Sequence, residues 1–260
     1  MMPTHTLPEN HFKRRLNSGA RQPGLWLTLE STNATEIAAG AGYDWMLLDM
    51  EHTTVDPSQV AGHLRAAAGG TAELAVRVPW NEPVLVKRLL DVGVRTLMFP
   101  CVQSALEAQA AVAATRYPPH GIRGVSGNMR GNSFARVKDY AATYQLEQCV
   151  IVQLESPKAI AAIEEIAAVD GVDALFIGPN DLAATMGLFG QPGAPAVKAV
   201  IADAVRRIKK TGKAAGILNF NVAEARALFK DGFDFIAVTS DTGILARQSE
   251  VILAQVKAGE

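Results

Sequence analysis

Short apolar runs alternate along this chain with longer stretches of helical spacing. The runs are Gly24–Leu29, Trp45–Asp49, Leu74–Val78, Thr96–Pro100, Val150–Glu155, Ala174–Gly178, Ala214–Leu218 and Phe233–Val238. Most are nearly continuous in apolar residues, as expected of parallel strands covered on both faces. Between them lie Ala-rich helical segments. In Ser156–Val169, Ile160, Ile163, Ile166 and Val169 recur every three residues, which keeps them on one helix face. Asp56-Pro57 and Ser156-Pro157 each read as a cap followed by a proline at the first helical position.

Alternation of this kind implies a parallel sheet with helical crossovers. About eight units fit the length, which favours a closed (β/α)8 TIM barrel of α/β class over an open sheet. No linker or low-complexity stretch divides the chain, so residues 1–260 read as one domain. The G-x-G-x-x-G fingerprint of dinucleotide binding is absent. One interval is long. After Pro100, helices are expected at Ser104–Thr115 and Val137–Glu147, and the Gly-, Pro-, Asn- and Arg-rich Tyr117–Phe134 between them reads as a functional loop or lid.

Composition narrows the partners. With 25 Lys+Arg against 26 Asp+Glu and a net charge of −1, the chain lacks the basic excess of a nucleic-acid binder. No apolar run approaches the roughly 20 residues that span a bilayer. The opening MMPTHTLPENHFKRRLNSG has no apolar segment after its positive charges, so it does not read as a secretory leader. Two cysteines, Cys101 and Cys149, make no disulfide framework. The expected setting is the reducing cytoplasm.

In such a barrel, reactive side chains stand at the C-terminal ends of strands. Those ends read Asp49-Met50-Glu51-His52, Arg77-Val78-Pro79-Trp80, Gln153-Leu154-Glu155-Ser156 and Gly178-Pro179-Asn180-Asp181. Glu155 and Asp181 end neighbouring strands and can converge on a hard divalent cation such as Mg²⁺ or Mn²⁺. Taken singly, either carboxylate could equally cap its following helix. Arg77 ends an apolar strand and needs an anionic partner. That partner is a substrate oxyanion in one reading and a structural salt bridge in the other. His52 follows two acids at a strand end and reads as a general base. His63 reads as an exposed helical residue. The helix start at Gly178-Pro179-Asn180 offers free backbone N–H groups to a carboxylate. Lys87, Lys158 and Lys213 fall away from strand ends, which disfavours a Schiff-base route.

Together with Gly24-Leu25-Trp26, Val76-Arg77-Val78-Pro79, Tyr117-Pro118-Pro119 and Gly121-Ile122-Arg123-Gly124, these segments resemble the HpcH/HpaI family of metal-dependent class II 2-oxo-acid aldolases, in order from about Gly24 to Val238. The resemblance implies reversible cleavage of 4-hydroxy-2-oxo acids to pyruvate, or a close relative such as hydroxypyruvate, and an aldehyde, through an enolate stabilised by Mg²⁺, Mn²⁺ or Co²⁺. It implies Glu155 and Asp181 as metal ligands, Arg77 on the 2-oxo oxygen, His52 as the catalytic histidine and Asp49 and Asp91 as acids supporting it. Gln153, Gly178, Pro179, Asn180, Trp26 and Leu218 are assigned to the substrate pocket. A homo-hexamer follows from the same resemblance, with the helix after about Asp241 exchanged between subunits. Where many relatives have a small, Ala-rich stretch, this chain has the polar Val125–Phe134, which is expected to contact a hydroxylated substrate. Two rival readings remain. Thioester cleavage of the citramalyl or malyl type, or oxaloacetate decarboxylation, would use the same cation and arginine. A non-catalytic binding barrel would be expected to lack one of Glu155, Asp181, Arg77 and His52, and all are present.

Overall fold

The computed structural model describes residues 5–16 and 18–258. The ends of the expected 1–260 domain, and residues 1–4 and 17 of the opening segment, lie outside the described residues. Eight strands close into a parallel barrel in sequence order. They are β1 (Gln22–Leu27), β2 (Trp45–Asp49), β3 (Glu73–Arg77), β4 (Thr96–Phe99), β5 (Cys149–Leu154), β6 (Ala174–Ile177), β7 (Ala214–Leu218) and β8 (Phe235–Ser240). Helices α1 (His11–Arg15), α2 (Thr32–Ala39), α3 (Pro57–Ala67), α4 (Pro83–Val92), α5 (Ala105–Thr115) and α6 (Tyr140–Glu147) accompany the first half. The second half carries α7 (Pro157–Ala161), α8 (Ile163–Ala167), α9 (Pro179–Thr185), α10 (Pro195–Lys210), α11 (Val222–Lys230) and α12 (Asp241–Lys257). Among the described residues, no helix is long and apolar enough to cross a membrane.

Alternation along each strand sorts the side chains. Leu74, Val76, Val150, Val152 and Leu154 face the helices in the outer core. Trp45, Leu47, Ala75, Cys149, Ile151, Ala174 and Phe176 fill the barrel interior. A strand's period of two residues makes this sorting automatic. Large and small residues complement each other inside. A Cβ on Gly24 would lie 2.2 Å from the Trp45 ring, so only glycine admits that indole. Phe12 and Leu16 of the N-terminal segment close the foot of the barrel against the same interior cluster.

Three expectations change. The single helix expected over Ser156–Val169 is two short helices, broken at Ala162. Ser156 does cap the first, accepting from the Ala159 amide at 3.1 Å. His63 is not exposed; it is buried between α3 and α2 and bonded to the Thr35 hydroxyl at 2.8 Å. The period of apolar residues in Pro57–Ala67 places His63 three residues after the buried Val60, on the covered face. Finally, the loop Tyr117–Phe134 is not a lid over its own site. It follows α5, which runs from rim to foot, and Arg130 donates to the Val92 carbonyl at 2.9 Å, just before β4 begins. It therefore packs at the opposite end of the barrel from the strand C-termini, out of reach of a substrate there.

Candidate active site at the strand C-termini

The same alternation that places Leu47, Ala75, Ile151 and Ala174 inside carries inward to the next positions: Asp49, Arg77, Gln153 with Glu155, and Gly178. They form the top layer of the barrel interior. Asp49, Arg77, Gln153 and Glu155 are all buried.

Arg77 is held on every side. Its Nε donates to Asp49 Oδ1 at 3.0 Å and its Nη2 to Asp49 Oδ2 at 2.6 Å. Trp26 donates its indole N–H to the same Oδ2 at 3.0 Å, and the guanidinium carbon lies 4.9 Å from the Trp26 ring centre. Nη1 is 2.8 Å from Glu51 Oε2. That contact is electrostatic and misaligned for hydrogen bonding, so Oε2 is buried without a donor. Burial pushes Asp49 upward, but the Arg77 hydrogen bonds and charge outweigh it and hold the carboxyl below its ordinary range. Asp49 thus orients the arginine. Its link to His52 is through the backbone amide, at 3.4 Å, and the carboxylate nearest the imidazole is Glu51, with Oε2 3.9 Å from Nε2. The His52 side chain itself is 64% exposed.

Glu155 has a different environment. Its Oε2 accepts from the Cys101 amide at 2.8 Å, and its Oε1 from Gln153 Nε2 at 2.6 Å. The Gln153 carbonyl oxygen is buried without a partner. Burial raises the Glu155 pKa; the Cys101 amide opposes this, and the charges of Asp181 and Glu51 add to it. Glu51 is raised as well, first by burial, with Arg77 opposing and Asp49 and Asp181 reinforcing. The Cys101 thiol is pushed up to about 12 by burial and by Glu155. Gly178 lies directly against Glu155: a Cβ there would sit 2.5 Å from Oε1. Pro179 and Asn180 open α9, and Asp181 stands exposed in its first turn.

A buried carboxylate with no cationic side chain on it, facing two further acids, is the donor set that a hard dication neutralises. The residues therefore fit the ion. Among the described residues no group of three or more His, Cys, Asp or Glu side chains closes on one point. Glu155 and Asp181 are the carboxylates that could supply oxygen ligands to the ion.

Leu218 ends β7, half-buried against the interior cluster that includes Trp26 and Phe176. Asp91 is not brought to His52 within the chain. It lies in the last turn of α4, at the foot, where the fully buried Arg123 donates to it at 2.8 Å. The sequence offers Glu51 only as one of two acids before His52; its place beside Arg77 follows from continuing the period of two past Asp49, which points it inward. Cys101 had no local signal; its role comes from a left-handed backbone (φ +57) that aims its amide at Glu155.

Comparison with known proteins places the chain among the carbon–carbon lyases, as an aldolase. It belongs to the HpcH/HpaI aldolase/citrate lyase family, whose model matches residues 22–247. The chain is similar to a pyruvate aldolase of Rhizobium etli, 49% identical over 96% of this chain and 98% of that protein. It is also similar to a hydroxypyruvate/pyruvate aldolase of Sagittula stellata, 47% identical over 94% and 98%. Among solved structures, an HpcH/HpaI aldolase/citrate lyase family protein from Burkholderia cenocepacia superposes with a TM-score of 0.93 at 43% identity, covering 95% of this chain and 99% of that one.

Proposed function

We propose that this aldolase reversibly cleaves 4-hydroxy-2-oxo acids to pyruvate or hydroxypyruvate and an aldehyde, using a divalent cation held by Glu155 and Asp181. The observation that carries the reading is the pairing of opposites on one rim: a buried, cation-free Glu155 beside Glu51 and Asp181, and a guanidinium locked in place by Asp49 and Trp26. The donor is assigned by likeness to the two relatives named for pyruvate and hydroxypyruvate.

Cleavage of the C3–C4 bond leaves an electron pair that must be accommodated on the 2-oxo oxygen. When bound, the dication supplies Lewis-acid stabilisation of that oxygen. Arg77 aims a fixed positive charge at it; because Asp49 and Trp26 already hold the guanidinium, little reorganisation is needed as charge develops. Gln153 keeps Glu155 in place and presents its unpartnered carbonyl to the pocket. Gly178, Pro179 and Asn180 line the side where the substrate carboxylate sits, and Leu218 offers an apolar wall to the aldehyde end. His52 takes the 4-hydroxyl proton in cleavage and returns it in addition, with Glu51 as the neighbouring carboxylate.

Asp91 supports His52 in this proposal from a second copy of the chain. Within one chain it lies at the foot with the loop Tyr117–Phe134. A neighbour presenting its foot to this rim would bring both together. The apolar side chains left exposed on α12, among them Leu245 (57%), Ile252 (59%) and Val256 (65%), are consistent with a helix that packs on another subunit of a homo-hexamer. The setting is cytoplasmic in the same reading.

The test is a screen of pyruvate and hydroxypyruvate against a panel of aldehydes, after EDTA dialysis and with Mg²⁺, Mn²⁺ or Co²⁺ restored. Activity should vanish on chelation and return with a dication. Full activity in the stripped protein would refute the metal assignment, and oxaloacetate decarboxylation without aldol turnover would favour the rival reaction.

A further inference from the structure

We propose that Glu30 is a positioning residue for the proton-carrying loop, gripping Thr54 with both carboxylate oxygens and so fixing where His52 stands on the rim. The inference rests on the reading of His52 as the proton carrier. Glu30 leaves β1 with a left-handed backbone, φ +56, a conformation disfavoured for any residue bearing a Cβ. Such a residue persists only where its surroundings hold it.

Two anchors do so. Behind it, Asp241 at the start of α12 accepts from the Thr28 amide at 2.9 Å, the Thr28 hydroxyl at 3.1 Å and the Leu29 amide at 3.1 Å, which fixes the approach to Glu30. Ahead of it, Glu30 Oε1 accepts from the Thr54 amide at 2.8 Å and Oε2 from the Thr54 hydroxyl at 2.5 Å. Two charge-assisted bonds to one residue define an orientation as well as a contact.

Thr54 stands two residues beyond His52. On the barrel side, the same loop is fastened by Asp49, which accepts from the Glu51 amide at 3.0 Å and, through its carbonyl, from the Thr53 hydroxyl. The loop is therefore pinned from inside by Asp49 and from outside by Glu30, with a 64% exposed imidazole between the pins. An exposed side chain on a loop held at one end only would spread over many positions, and small misplacements of a proton-transferring group cost rate.

The experiment compares Glu30→Ala, Glu30→Gly, Glu30→Gln and Thr54→Val in the full-length, metal-loaded protein. Hydrogen–deuterium exchange of the 50–55 segment reads the clamp independently of His52. Steady-state cleavage and pyruvate C3-proton exchange read its consequence. In the Ala and Gly variants the Thr54 amide should exchange about tenfold faster, as befits loss of a charge-assisted hydrogen bond. Cleavage kcat should fall roughly three- to tenfold while KM and pyruvate exchange stay within about twofold. Glu30→Gln should recover part of the loss, Thr54→Val, which keeps the amide bond and loses only the hydroxyl bond, should reproduce part of it, and Glu30→Ala with Thr54→Val should be no worse than Glu30→Ala alone. Glu30→Gly separates the carboxylate from the backbone, since glycine tolerates the left-handed conformation. Unchanged exchange in 50–55 would overturn the clamp. A loosened loop with undiminished kcat, in a protein where His52→Ala does impair cleavage, would overturn the positioning role. Normal cleavage by His52→Ala would instead place the failure in the premise about His52.

Discussion

Arg77 and Glu155 illustrate how one rim can treat opposite charges in opposite ways. Arg77 is buried but paired on each face, so removing it strands Asp49 in a dry site. Breaking a buried pair this way typically costs about 3–5 kcal/mol. Arg77→Ala should therefore lower the thermal midpoint and abolish pyruvate C3-proton exchange. Arg77→Lys should recover much of the stability and little of the exchange, because an ammonium cannot reproduce the bidentate contact. The pair also sets a pH response. Since folding lowers the Asp49 pKa, its ionised form stabilises the folded chain above the unfolded value of roughly 3.9. That contribution is lost as pH falls through the lower folded value. Urea melts from pH 5 downward should show this acid loss in the native chain and a shallower one in Asp49→Asn. Glu155 answers to backbone space as well as charge. Gly178→Ala would drive a Cβ to within 2.5 Å of its Oε1. This variant is expected to keep its fold while binding Mn²⁺ at least about tenfold more weakly, because supporting contacts typically contribute 10- to 100-fold to metal affinity. Calorimetric titration that finds native affinity would show that Gly178 does not fix the position from which Glu155 binds the ion.

At the scale of elements, the barrel is legible because short, nearly continuous apolar runs bounded by turn-forming residues alternate regularly with longer helical stretches. Trp45–Asp49 and Ala214–Leu218 were read to the residue, since both faces of each strand are covered and turn-forming residues bound them. Ala162, where the backbone leaves helical geometry at φ −93 and ψ 13, is not readable as a break, because an alanine carries no local reason to end a helix. The site was legible to the extent that it follows strand parity: Asp49, Arg77, Gln153, Glu155 and Gly178 are next-inward positions of four strands. What parity cannot reveal is which partner an inward group takes. Asp49 chose Arg77 over His52, and Cys101 entered the site through its backbone. The packing inside the barrel gives its own test. Gly24→Ala should place a methyl 2.2 Å from the Trp45 ring. Overpacking of this kind costs about 1–3 kcal/mol, so the thermal midpoint should drop by several degrees with metal affinity intact; an unshifted midpoint would mean the interior yields more than close packing allows.

The whole molecule has a rim bearing His52 and a foot bearing Asp91, and a single chain cannot join them. The polar composition of Tyr117–Phe134 reads as a functional loop or lid, but composition says nothing about which end of which barrel it serves. Arg123 ties loop and acid into one unit, with its guanidinium on Asp91 and 4.5 Å from the Tyr117 ring centre. If a neighbour's foot completes the site, activity belongs to pairs of chains, and two defective chains can repair one another. His52→Ala lacks a working rim but keeps an intact foot; Asp91→Ala is the reverse. Each alone should be nearly inactive in cleavage. In mixed oligomers formed by co-expression or by denaturation and refolding together, some interfaces join a native rim to a native foot. Random mixing at equal amounts should therefore restore about a quarter of native activity, if each site draws independently on one rim and one foot. Shortening the chain after Arg247, which keeps Asp241 and its bonds to Thr28 and Leu29 but removes the outer turns of α12, should abolish both the oligomer and the rescue, as read by light scattering alongside the assay. Absence of rescue in oligomers shown to be mixed would return Asp91 to a purely structural role, clasping Arg123 at the foot.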